Sequence, residues 1–375
     1  MAVVRYGASA RSAQKGKEGP EVSDTAQRTP TTAGGPPGGP PGNGAAGRLR
    51  DAGIFLLRQR EATIFAVAVL LTLYFGLINS IGRATFWSKA DLINLTQYWA
   101  PIIIIALCEV LLLICGEIDL SVGYTLAFTP FLMYFLIVNY SVPGVLAIIL
   151  CLVFGLAVGW FNAFLTVTLR LPSFITTLGT GFILAGLILT TNSGEQATVP
   201  QQVIGIGHWI GSYAWAEIIW AVILTALFHV LLRRTRWGLH TIAVGGNALG
   251  AAEAGVNVAR IKYGNFMVTG LLGSFVGLQI AFQSSIADTY SGLAGFQPMF
   301  YAVAAAVIGG TAMLGGSGTI IGAFLGAYVL SVLEDGFAVI GVSAYPLTIF
   351  YGGAIILAMI FNVQFARLRR EGRVR

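Results

Sequence analysis

Residues 62–79 read Ala-Thr-Ile-Phe-Ala-Val-Ala-Val-Leu-Leu-Thr-Leu-Tyr-Phe-Gly-Leu-Ile-Asn, with no charged residue among them. About 20 such residues cross a hydrocarbon core of roughly 30 Å as a helix, and in lipid only helices or closed barrels satisfy every backbone group. A barrel strand would alternate apolar and polar positions, and this run does not. The segment therefore reads as a membrane-spanning helix.

Similar runs recur downstream at about 95–115, 120–139, 143–168, 174–191, 213–232, 263–283, 298–313, 318–337 and 344–362. They predict an all-α, polytopic helical membrane protein of about ten transmembrane helices. Two places break the pattern. The second and third runs meet with almost no loop, and the eighth is short; either place has room for a broken or re-entrant helix. Composition agrees: hydrophobic residues are 56% of the chain and charged ones 10%, against about 25% charged in soluble domains. The net charge of +6 lacks the basic stripe with adjoining readers that nucleic acid requires. Cys108, Cys115 and Cys151 all fall inside apolar runs with no histidine at ligand spacing, and read as small buried hydrophobes rather than metal or redox groups.

Residues 1–55 are rich in Gly, Pro, Ser, Thr and Ala, culminating in Gly34-Gly-Pro-Pro-Gly-Gly-Pro-Pro-Gly42. Such a tail buries too little apolar surface to offset its ordering entropy and is expected to be disordered. It also puts the first apolar run too far along the chain for a cleavable signal peptide. The membrane domain is expected over 56–363, with a basic tail at 364–375. With the N-terminus in the cytoplasm, fifteen Lys and Arg residues near span ends fall inside, and only Arg83 and Lys89 outside. The positive-inside rule thus predicts both termini in the cytoplasm. The long connection 192–212 then lies outside and 233–262 inside.

Within 233–262, Asn247 suits an N-cap, Ala248 to Ala254 form about two helical turns, and Gly255 suits a left-handed C′ position. So short a helix needs a surface to lean on. Either it lies on this protein's own span ends, or it is a docking knob for a cytosolic subunit, with Ala251, Ala252 and Gly255 allowing close approach.

Three ordered blocks carry a resemblance. Asn247, Ala251, Ala252, Gly255 and Asn257 are similar to the Gly-Gly-Asn-x-x-x-Ala-Ala-x-x-Gly-x-Asn coupling loop of permeases in ribose- and xylose-type sugar ABC importers. Gly116-Glu-Ile-Asp-Leu-Ser-Val-Gly123 resembles that family's Gly-Gly-Ile-Asp-Leu-Ser-Val-Gly segment. Residues 304–326 resemble its Gly-Gly-Thr…Gly-Gly-x-Gly…Gly block. Glu117 replaces a common Gly, as in some pentose-type members, and Ser317 stands where a basic residue is frequent. The resemblance implies a permease subunit of a bacterial inner membrane, paired with a second permease chain as a homodimer, that receives a monosaccharide from an extracytoplasmic binding protein and is driven by a separate ATPase. The chain itself carries only Lys15, Lys17, Lys89 and Lys262, none within G-x-x-x-x-G-K-[ST], so it is expected to bind no ATP, to need no cofactor or metal, and not to be an enzyme.

Individual residues keep two readings each. In the 116–123 block, Asp119 or Ser121 caps the third span and Gly116 and Gly123 permit a reversal, or the block with Glu117 is a gate. Glu109, in mid-span, lines the path and bonds sugar hydroxyls, or is a neutral carboxyl bonded to a neighbouring helix. Gln279 and Gln283, one turn apart, are weaker path candidates. Gly318, Gly322 and Gly326 let two helices approach closely. Glu334 and Asp335 mark a solvated helix end or a binding-protein contact. Two rivals stay open: a permease for branched-chain amino acids or nucleosides, and an ion-coupled secondary transporter using Glu109, although no convincing internal repeat supports the latter.

Overall fold

The computed structural model describes residues 60–82, 86–191, 195–287 and 296–341, with a few isolated positions between 349 and 360. The tails expected at 1–55 and 364–375, Arg83, and nearly all of the span expected at 344–362 lie outside the described residues.

The described chain is helical almost throughout. Its long helices are α1 (Arg60–Gly82), α2 (Lys89–Ile114), α3 (Val122–Val138), α4 (Gly144–Ala163, running on into a π-helical turn at Phe164–Thr168), α5 (Ser173–Thr191) and α6 (Ala214–Arg234). Two short helices follow, α7 (Arg236–Gly246) and α8 (Ala248–Glu253). Then come α9 (Val258–Ser284), α10 (Phe296–Ile308) and α11 (Ile320–Val339). Six helices among the described residues are long and apolar enough to cross a membrane, and three shorter apolar helices lie in the first, third and eighth predicted spans. The eighth is the broken one: α10 ends at Ile308 and gives way to a non-helical loop through Thr319.

Helix α2 is central. Every residue from Ala100 to Ile114 is buried, as expected of a helix apolar on all sides. It packs against α6, α9, α10 and α11. The closest pairing is α4 on α9, where a Cβ at Gly155, Gly159 or Gly270 would overlap the facing backbone. Small residues at such crossings let dispersion and backbone contact replace the hydrophobic drive that lipid does not supply.

Contacts between helix ends sort the molecule into two poles. At one, Thr319 at the start of α11 bonds Glu61 at the start of α1, and Gly316 bonds Ile114 at the end of α2. Arg233, Arg234, Arg236, Arg260 and Lys262 belong to this basic end. At the other, two strands the all-helical reading did not anticipate, β1 (Ala197–Thr198) and β2 (Ile286–Ala287), pair antiparallel, with Ala197 opposite Ala287. They pin the long connection before α6 to the far end of α9. That connection is not an open loop, since residues 201–212 form short helical turns.

Candidate functional site

The three blocks singled out in the sequence meet at the basic end. Gly116, at φ +74°, turns the chain after α2 and frees the Ile114 carbonyl, which accepts a hydrogen bond from Gly316 N–H at 2.8 Å. A Cβ on Gly245 would overlap that same carbonyl oxygen, and one on Gly315 would lie 3.1 Å from it and 3.3 Å from Gly116 N. Gly315 and Gly316 both have positive φ, +88° and +83°, a conformation open to glycine at little cost. A salt bridge from Lys262 of α9 to Glu117 closes the group. Loops from three regions thus touch backbone to backbone.

Beyond Glu117 the chain enters α3 through a buried polar knot. Asp119 Oδ1 accepts from Ser121 N at 2.9 Å and from Ser121 Oγ at 2.6 Å, and Asn162 of α4 donates to Asp119 Oδ2 at 3.2 Å and to Ser121 Oγ at 2.7 Å. Asp119 is therefore the capping group of the two candidates, because Ser121 makes no side-chain cap bond. Gly123 is not part of the reversal. It sits inside α3, buried, with ordinary helical backbone, so Gly116 alone makes the turn.

The short helix forms as its sequence prescribes. Asn247 Oδ1 accepts from Gly250 N at 3.0 Å, α8 runs from Ala248 to Glu253, and Gly255 follows at φ +84°. Asn257 Oδ1 then caps α9 by accepting from Arg260 N at 2.9 Å. The helix divides its small residues. Ala251 turns inward onto Cys115, Val244 and Ile261, whereas Ala252 and Gly255 are exposed. Leu249 on the outer face is 72% exposed.

The floor beneath this helix depends on a residue the sequence reading passed over. Asn265 of α9 accepts from Trp237 Nε1 at 2.9 Å and donates to Leu111 O at 3.4 Å and Cys115 Sγ at 3.3 Å. It ties α7 to the end of α2. The available signal was an amide inside a spanning helix, which is costly in lipid unless it is partnered.

The path candidates separate. Glu109 is wholly buried in α2. Its two oxygens face the Asp119 segment without a well-formed hydrogen bond among the described residues. Gln279 is buried too, but its Nε2 donates to Ile210 O at 3.1 Å, binding the connection before α6, while Gln283 is half-buried one turn on. Gly322 and Gly326 lie against the Gly309 and Ala305 carbonyls and pack α11 on the end of α10, whereas Gly318 falls in the loop before α11, against Ile114 of α2. Asp335 is not a solvated end: it is 3% exposed, and its carboxyl lies beside that of Asp91 of α2. The cysteines are free and buried.

Residues 92–362 match the family described as branched-chain amino acid transport system / permease component. The xylose/arabinose import permease protein of Sulfolobus acidocaldarius is 34% identical over 82% of this chain and 86% of its own length. The ribose import permease protein of Bacillus subtilis is 32% identical over 76% of this chain and 88% of its own. The autoinducer 2 import system permease protein of Salmonella typhi is 28% identical over 82% and 87%. No solved structure matches. A helical, multi-pass membrane body matched over most of its length, with the three motif blocks gathered at one pole, belongs to this family of importer permease components, in which ATP hydrolysis falls to a separate subunit.

Proposed function

We propose that this chain forms the translocation path for a pentose- or hexose-like monosaccharide, with its basic end in the cytoplasm and residues 233–262 as the loop gripped by the ATPase. The substrate class rests on relatives named for xylose, arabinose and ribose import. The single observation that carries the coupling role is the geometry of α8. The helix is capped at both ends and held from below by the junction of three blocks, while Leu249, Ala252 and Gly255 stay exposed. In the importer, ATP binding and hydrolysis shift the ATPase between two arrangements, and α8 passes the shift to the end of α2 and the 116–121 segment. Glu109 lies on that same helix and is the candidate side chain for sugar hydroxyls. A binding protein outside delivers the sugar, and a second copy of this chain completes the path.

Gly255→Val tests the coupling role. Among the described residues nothing lies within 4 Å of a Cβ there, so the cost is confined to a left-handed conformation, about 1–2 kcal/mol, and to the surface a partner must approach. The variant is expected at normal level in the membrane, with ATPase recovery in detergent pull-down and ATP-driven uptake both lost. Equal recovery with intact uptake would return α8 to ordinary packing. Sidedness has its own test. Single cysteines introduced at Thr198 and Glu253, each probed with an impermeant thiol reagent in intact cells, are expected to label at Thr198 only.

A further inference from the structure

The loop between α10 and α11 presents apolar side chains where water would be expected to claim them. Gly315 N–H bonds Ala312 O at 3.2 Å, and Ala312 N–H bonds Ser317 O at 2.9 Å. These bonds close a tight turn whose tip is Met313 and Leu314. Leu314 is 86% exposed, the most exposed large hydrophobic residue among those described. Turn tips ordinarily carry Gly, Asn, Asp or Ser. Lipid does not cover this one, because bilayers do not tolerate irregular backbone facing the acyl chains.

The turn is also fixed in place. Gly316 anchors it to Ile114, and a Cβ on Gly316 would lie 3.3 Å from the Gly246 Cα. Leu314 is two residues from Gly316 and Leu249 three from Gly246, so their Cα atoms lie within roughly 20 Å of each other. One interface of about 800 Å² per partner spans that distance. The exposed charges at this end, Arg170, Arg233, Arg234, Arg236 and Arg260 with Glu253, are mostly basic.

We propose that the Ala312–Gly315 turn is a second docking element for the ATP-hydrolysing subunit, seating Leu314 in an apolar recess rimmed by carboxylates. It stands beside α8, and the proposal rests on the coupling role given to that helix. Continuity with the α8 surface and the basic rim select this partner.

The test uses the importer complex from its native membranes, with Leu314→Ser and Leu249→Ser compared. Both side chains are exposed, so chain level and thermal stability in detergent are expected to stay unchanged. ATPase recovered by pull-down is expected to fall at least tenfold for each variant. A photoreactive benzophenone amino acid at position 314 should cross-link to a protein carrying the G-x-x-x-x-G-K-[ST] phosphate loop. Loss with Leu249→Ser but full recovery with Leu314→Ser would overturn this inference and leave the coupling role standing. Full recovery with both would overturn the two together. Cross-linking from position 314 only to lipid, or only to a second copy of this chain, would also overturn it.

Discussion

The two ends of the bundle are finished in opposite ways. At the far end, the connection before α6 folds down on α9. The β1–β2 ladder, the Gln279 bond to Ile210 and the Ser212 hydroxyl bond to Phe282 O hold it there. At the basic end the loops are held as firmly, through Ile114, Gly245 and Gly316, yet Leu249 and Leu314 remain in the open. Among the described residues the far end folds its connection onto its own chain and leaves aromatic side chains such as Tyr140 and Trp209 outside, whereas the basic end is rigid and leaves aliphatic ones uncovered. Rigidity without closure is what a surface needs if it is to be pushed by another protein, because a compliant loop would absorb the displacement.

Gly245→Val is the strongest way to break this contrast. Its side chain meets the Ile114 carbonyl, a backbone group with no room to yield, so a loss of about 3 kcal/mol is expected. A fall in detergent melting temperature together with loss of ATPase recovery would mark the junction as the support of the docking surface. Asn265→Ala comes next. It leaves the Trp237 N–H without its acceptor and is expected to cost about 1–3 kcal/mol, with ATPase recovery falling while the far end keeps its protease resistance. Gln279→Leu is the smallest. It removes one bond to Ile210 but also an oxygen without a partner among the described residues, so a change within about 1 kcal/mol is expected. A large loss of uptake with unchanged stability would instead give Gln279 a place in the path.

Much of this was legible in the chain because lipid imposes simple rules. Run length marked the helices, and Asn247 and Gly255 announced their caps through local backbone chemistry, while the cap that Asn257 makes on α9 emerged only in the structure. The meeting of Ile114, Gly245 and Gly316 was not legible, since glycine states only that space is needed and never which backbone will fill it. Gly123 misled for the same reason: it looked like a hinge and is a helix interior. Asp335 misled because a carboxylate near a helix end reads as solvated, whereas its partner Asp91 is far away in the sequence. The 344–362 span lies outside the described residues.

The Ile114 to Gly316 bond also has a bearing on biosynthesis. The chain is made from the N-terminus, and α8 already has its floor of Cys115, Val244 and Ile261 once α9 has begun. The Ile114 carbonyl finds its donor only when residue 316 has left the ribosome, more than 200 positions after the helix it terminates was made. Until then α8 stands on an unbraced junction. A partner that engaged α8 before that point would meet a yielding surface, so the junction becomes rigid only after the loop before α11 has been made.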